Sequence, residues 1–120
     1  MKELTKAEEQ VMQILWQIKE GVVKDVLAKM PDPKPAYNTV STVVRVMETK
    51  GFLGHKAFGN THVYHPLITE ADYKKFVFDG MMKTWFNNSV KDLVTYLAKE
   101  GKLDITDLAE LILLSQKAKK

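Results

Sequence analysis

No cysteine occurs in the 120 residues of the chain, and that absence excludes disulfides, thiolate-ligated metal sites and a cysteine nucleophile together. Long apolar runs are missing too: none approaches the roughly 18 residues a bilayer-crossing helix requires. The charged opening MKELTKAEEQ leads straight into a helical pattern rather than into the apolar centre of a secretory signal. A cytoplasmic protein without membrane insertion is expected. Proline is scarce and concentrated, with Pro31, Pro33 and Pro35 making three of the four, and no helix can run through them. There is no glycine-rich phosphate loop, no nucleophile elbow and no HExxH. The paired acids Glu8 and Glu9 fall in a first helical turn, where the helix dipole accounts for them. Neither an enzyme nor a cofactor is expected.

What is present suits a folded chain, 45% hydrophobic and 28% charged, forming one domain or two small ones. The net charge of +3 permits nucleic-acid binding without requiring it. Its placement is more informative. From Lys34 to His65 there are four cations (Lys34, Arg45, Lys50, Lys56), one acid (Glu48) and all three histidines, while the rest of the chain carries 14 basic and 14 acidic residues. The excess positive charge is local.

At the centre of that segment lies YNTVSTVVRVMETK, Tyr37 to Lys50. Advancing about 100° per residue, Val40, Val43, Val44 and Met47 share one side, and Asn38, Ser41, Thr42, Arg45 and Thr49 the other. The apolar side requires a core. The polar side is short-chained around one arginine, which lets a helix approach a surface closely and suits paired acceptors on a guanine edge or a phosphate. Taken alone, this helix fits either a DNA groove or a Ser/Thr-biased solvated face.

Its neighbours narrow the choice. Thr5-Lys6-Ala7-Glu8 has capping-box spacing, and Val11, Ile14, Leu15 and Ile18 form the core stripe of a helix ending at Gly21. A short helix over Val23 to Met30 follows, stopped by the prolines. Three helices on short connections, the last polar outside, fit a helix-turn-helix. Beyond Gly51 the period becomes two: Phe52 to Phe58 and Thr61 to His65 flank the turn Gly59-Asn60. This is a small hairpin, a wing, with His55 opposite Tyr64 and Ala57 opposite His62, and with Lys56 and Val63 on the other face. His55 and His62 can be diagonal neighbours, but His65 faces away and no nearby acid completes a metal shell, so no metal site is expected.

Past a boundary near Leu67 to Thr69, a helix capped by Thr69 carries Tyr73, Phe76, Val77, Met81 and Trp85. A second carries Val90, Leu93, Val94, Leu97 and Ala98, and a last one, capped by Asp104, carries Ile105, Leu108, Leu111, Ile112 and Leu114. On that last helix the apolar residues span over half the circumference, where a monomer surface needs a stripe of roughly 100°. A subunit interface is the expected sink. The fold class is therefore mainly α with a small β-hairpin: a winged helix-turn-helix domain over residues 1–68 and a helical dimerisation domain over 69–120.

The order of elements, with LTKAEEQVMQILW, TVSTVVRVMETKGFL, a hairpin ending in VYHPL and the trailing DITDLAELILL, resembles the penicillinase-repressor family of bacterial transcriptional regulators (BlaI/MecI/CopY type) over essentially the whole chain. The resemblance implies a cytoplasmic homodimer that represses transcription from a palindromic double-stranded DNA operator until a signal releases it. It implies DNA contacts from Asn38, Thr39, Ser41, Thr42, Arg45 and Thr49, with Thr39 flanking and directed to phosphate, and from Lys56 in the wing. It places the dimer contacts on the C-terminal helices, at Tyr73, Phe76, Val77, Leu108, Leu111 and Ile112. Members controlled by a membrane sensor are cut between Asn and Phe, where this chain has Tyr96-Leu97. Induction by that cut, with a sensor or protease acting upstream, is thus not inherited directly. The C-terminal cysteines of copper-responsive members are absent. Two rivals remain: a winged-helix protein-interaction module that never binds DNA, and a metal-gated regulator using His55 and His62.

Overall fold

The computed structural model describes residues 1–118. In chain order the elements are α1 (Lys6–Ile18), α2 (Val23–Ala28), α3 (Tyr37–Thr49), β1 (Leu53–Phe58), β2 (Thr61–Pro66), α4 (Glu70–Trp85), α5 (Val90–Lys99) and α6 (Ile105–Ala118). Two compact units divide between Phe76 and Val77, inside α4.

The first unit is built on α1, α2 and α3. The capping box opens α1: the Glu8 N–H donates to Thr5 Oγ1 at 3.2 Å, and the Thr5 N–H donates to Glu8 Oε1 at 3.0 Å. Val11, Met12, Ile14 and Leu15 are buried, so Met12 joins the core that the periodicity expected, while Ile18 is only half-buried. The helix stops at Ile18 because Lys19 turns to φ 76 and returns its N–H to the Leu15 carbonyl. Gly21 is therefore not the cap. Its N–H and C=O pair with the Tyr64 backbone at 3.0 and 2.8 Å, adding a one-residue strand to the hairpin. A side chain at Gly21 would meet Ile18 and Asp25 at 3.0 Å.

Val40, Val44 and Met47 of α3 pack into the same core with Val23, Val26, Met30, Phe52 and Leu53. Each such side chain contributes about 1.5–3 kcal/mol through burial. Helix α3 ends in a glycine cap: Gly51 takes φ 88, its N–H reaches Glu48 O, and the Phe52 N–H reaches Met47 O at 3.0 Å. That turn aims the chain into β1. The hairpin has the expected register, with His55 opposite Tyr64 and Ala57 opposite His62.

The start of α4 belongs to this unit. Thr69 caps it through the Asp72 N–H at 3.0 Å, and Tyr73 is buried against Trp16, Phe52 and Phe76, its hydroxyl accepting the Leu4 N–H at 2.7 Å. Burial, partly offset by that N–H, raises the Tyr73 phenol above its ordinary pKa. Trp16 donates its indole N–H to Ile68 O at 2.9 Å. These ties carry the compact unit past residue 68.

In the second unit, Asn87 and Asn88 break the chain with positive φ values of 53 and 58. Ser89 then caps α5 and Asp104 caps α6. Neither α5 nor α6 has a buried residue. Among the described residues no helix is long and apolar enough to cross a membrane.

Candidate nucleic-acid interface

On α3 the solvent-facing residues are Tyr37, at its first position, and Asn38, Thr39, Thr42, Arg45, Val46 and Thr49. Thr42, Arg45, Val46 and Thr49 line a shallow depression that continues to Lys50. Arg45 stands at its centre. The threonines direct their hydroxyls inward, Thr42 to Asn38 O at 2.9 Å and Thr49 to Arg45 O at 3.1 Å. With the hydroxyl proton spent on the preceding turn, each has its methyl group and an oxygen lone pair left for a ligand.

Ser41 does not share this face. It retains only 9% of its exposure, and its Oγ accepts a hydrogen bond from Arg45 Nη2 at 3.0 Å. By angle it lies on the side of the polar arc that rolls toward Val44, and packing of α3 on α1 and α2 takes it inside. Ser41 is thus placed behind the Arg45 guanidinium, in hydrogen-bond contact with it. Val46 is the converse: 43% exposed among polar neighbours, it was legible on the helical wheel, where it projects between Thr42 and Thr39, but it carries no polar group to draw notice.

Two of the four local cations are engaged internally. Lys50 Nζ pairs with Glu8 Oε2 at 2.9 Å, and Lys34 Nζ caps the end of α2, closest to Met30 O at 2.6 Å. Arg45 and Lys56 are the ones that face outward. Burial acts to raise the Glu8 pKa, but the Thr5 backbone N–H, Lys50 and the Thr5 hydroxyl outweigh it, and the net shift is downward. Glu8 is therefore more than a helix-dipole residue: it ties the start of α1 to the end of α3.

On the hairpin, Lys56 is exposed on one face and the ring cluster occupies the other. His55 and His62 stack with centroids 4.2 Å apart and planes 11° from parallel. Both lie near the Tyr64 ring, His55 tilted and His62 edge-to-face, and the Glu48 carboxylate contacts His55 Nδ1. An acid does stand near the histidines, since α3 brings Glu48 across to β1. Even so, among the described residues no group of three or more His, Cys, Asp or Glu is placed to hold a metal ion, and stacked rings present their nitrogens in parallel planes rather than toward one point. Burial, reinforced by the Glu48 charge, raises the Tyr64 phenol. At the tip, Phe58 is 64% exposed beside Gly59, whose φ is 62.

A helix-turn-helix whose last helix presents a short-chained polar face, flanked by a hairpin, defines a winged-helix protein of the DNA-binding class. Comparison with known proteins agrees. Residues 4–117 match the penicillinase repressor family. The solved DNA-binding domain of the repressor BlaI is 28% identical, covering 61% of this chain and 94% of that one with a TM-score of 0.52. The Bacillus licheniformis BlaI monomeric form, solved in complex with the blaP half-operator, is 27% identical, covering 60% and 89% with a TM-score of 0.50. No curated protein matches the chain. The chain belongs to the penicillinase repressor family, whose members are transcriptional repressors rather than enzymes.

The expected dimerisation residues are placed unevenly. Tyr73 is spent inside the first unit, and Phe76 and Val77 are half-buried. Leu108, Leu111 and Ile112 are 40%, 47% and 58% exposed on α6. Tyr96 is exposed and Leu97 half-buried in the body of α5.

Proposed function

We propose that the protein is a homodimeric repressor that occludes a palindromic double-stranded DNA operator and is released by a signal yet to be identified. The observation carrying this reading is the outward face of α3, with Arg45 at its centre and the wing beside it. Arg45 is suited to a bidentate contact with guanine, Val46 and the Thr42 and Thr49 methyl groups to thymine methyls, and Asn38, Thr39 and Lys56 to the backbone. The BlaI complex with a half-operator supports one protomer per half-site. The apolar exposure of α6 supports pairing through the second unit, since Leu108, Leu111, Ile112, Leu113 and Leu114 remain between 40% and 60% exposed. The division of function is then DNA reading in residues 1–68 and dimerisation in 69–120, with the start of α4, through Phe76, packed on the DNA-reading part.

A membrane sensor or protease acting upstream would have to unwind α5 to reach Tyr96-Leu97, because that bond lies within the helix Val90–Lys99. The test of DNA binding is a fluorescence-anisotropy titration of the full chain on duplex DNA across a salt series. Affinity that falls steeply with salt is expected. Absence of binding at low salt would favour a protein-interaction module instead.

A further inference from the structure

Residues of the stacked histidine pair have no part in the contacts assigned above. The pair lies where α3 meets the wing: Glu48 of α3 holds His55 of β1, and His62 of β2 lies over His55 with its own ring exposed. A duplex that touches both the outward face of α3 and the hairpin must run past this junction. Lys56 cannot serve there, because it occupies the opposite face of the ribbon.

Two imidazoles stacked at 4.2 Å repel each other when both are protonated, unless anions compensate. Glu48 supplies one anion, and it is already in contact with His55. Among the described residues no carboxylate pairs with His62. The other groups around the cluster are the Tyr64 phenol, held neutral by burial and by Glu48, and the charge of Arg45 and the phenol of Tyr37 on α3, both felt at Tyr64. The missing second anion is of the kind that a DNA backbone carries at every step.

We propose that His62, stacked on the Glu48-anchored His55, is a proton-linked phosphate contact, so that duplex DNA binds most tightly to the protonated pair and its binding takes up protons. This rests on the DNA-binding reading above and adds a contact and a pH dependence to it. Because a phosphate contact carries no sequence information, any duplex reports it. The bound state favours the charged imidazole, so affinity rises as pH falls through the histidine range, by at most about tenfold per pH unit for each proton taken up.

The experiment is a titration of the full chain against a mixed-sequence duplex at low salt, at about pH 6 and about pH 8, paired with calorimetry in two buffers of unlike ionisation enthalpy to count protons. The wild type should bind about three- to tenfold tighter at the lower pH and take up protons. His62→Gln should bind equally at both and take up no protons, while His65→Gln, changed on the other hairpin face, should behave as wild type; circular dichroism checks that each is folded. Wild-type affinity independent of pH, or a pH dependence that survives in His62→Gln, overturns the proposal while leaving DNA binding intact. Folded protein that binds no duplex at either pH overturns the repressor reading itself.

Discussion

At the scale of single residues, Arg45 and Ser41 have separable parts. Arg45 faces outward and Ser41 sits behind it, its Oγ accepting from the guanidinium. Arg45→Ala should weaken binding to the preferred duplex by about 1–3 kcal/mol, roughly tenfold or more, and relax base preference at one position of each half-site. Ser41→Ala should cost less, because the arginine remains and loses only its orientation. A gel-shift series with both variants distinguishes the two, and equal losses would return Ser41 to the contact surface. Glu8 sets a different expectation. Its folded pKa lies below the ordinary carboxylate value, so its ion pair and capping contacts stabilise the fold fully above the ordinary value and are lost as pH falls from there through the lower folded pKa. Thermal melts from neutral pH into the acid range should show wild type losing more stability than Glu8→Gln, the two curves converging at low pH. A constant gap between them would contradict the assignment.

At the scale of elements, most boundaries were legible because local chemistry dictates them. Helical spacing located α3 within one residue, and alternation around Gly59-Asn60 specified the hairpin register. Gly51 shows why such signals work: only a residue tolerant of positive φ lets α3 end and β1 begin in so short a span. Gly51→Ala should lower stability by about 1 kcal/mol, read as a drop in the unfolding midpoint of several degrees; no side chain is near enough to confuse the result. What could not be read locally was set by contacts between elements. Glu8 with Lys50, Glu48 with His55 and Tyr73 with Leu4 join residues whose proximity depends on the packed helices. The inward roll of Ser41 belongs to the same category, since a helical wheel gives the angle of a side chain but not the depth to which its neighbours bury it.

For the whole molecule, the two units differ in how they satisfy their apolar residues. The first encloses its own core around Met12, Leu15, Val44, Met47 and Leu53. The second leaves Ile105 and the run from Leu111 to Leu114 largely in water, a surface of the kind that marks a subunit contact. Ile112→Asp should therefore give a folded first unit in a monomeric chain, whose sedimentation coefficient no longer rises with concentration and whose affinity for a two-half-site duplex falls toward that for one half-site. An unaltered dimer would move the interface elsewhere. In the proposed dimer, symmetry would join this surface to the outward face of α3, because two protomers related by a dyad present two such helices at a set separation. The central claim is then best tested by selecting duplexes from random DNA with the full chain. The expected product is an inverted repeat with half-site centres about one helical turn, or a small multiple of it, apart; enrichment of a single unpaired motif, or of no sequence at all, would contradict a dimer that reads a palindrome.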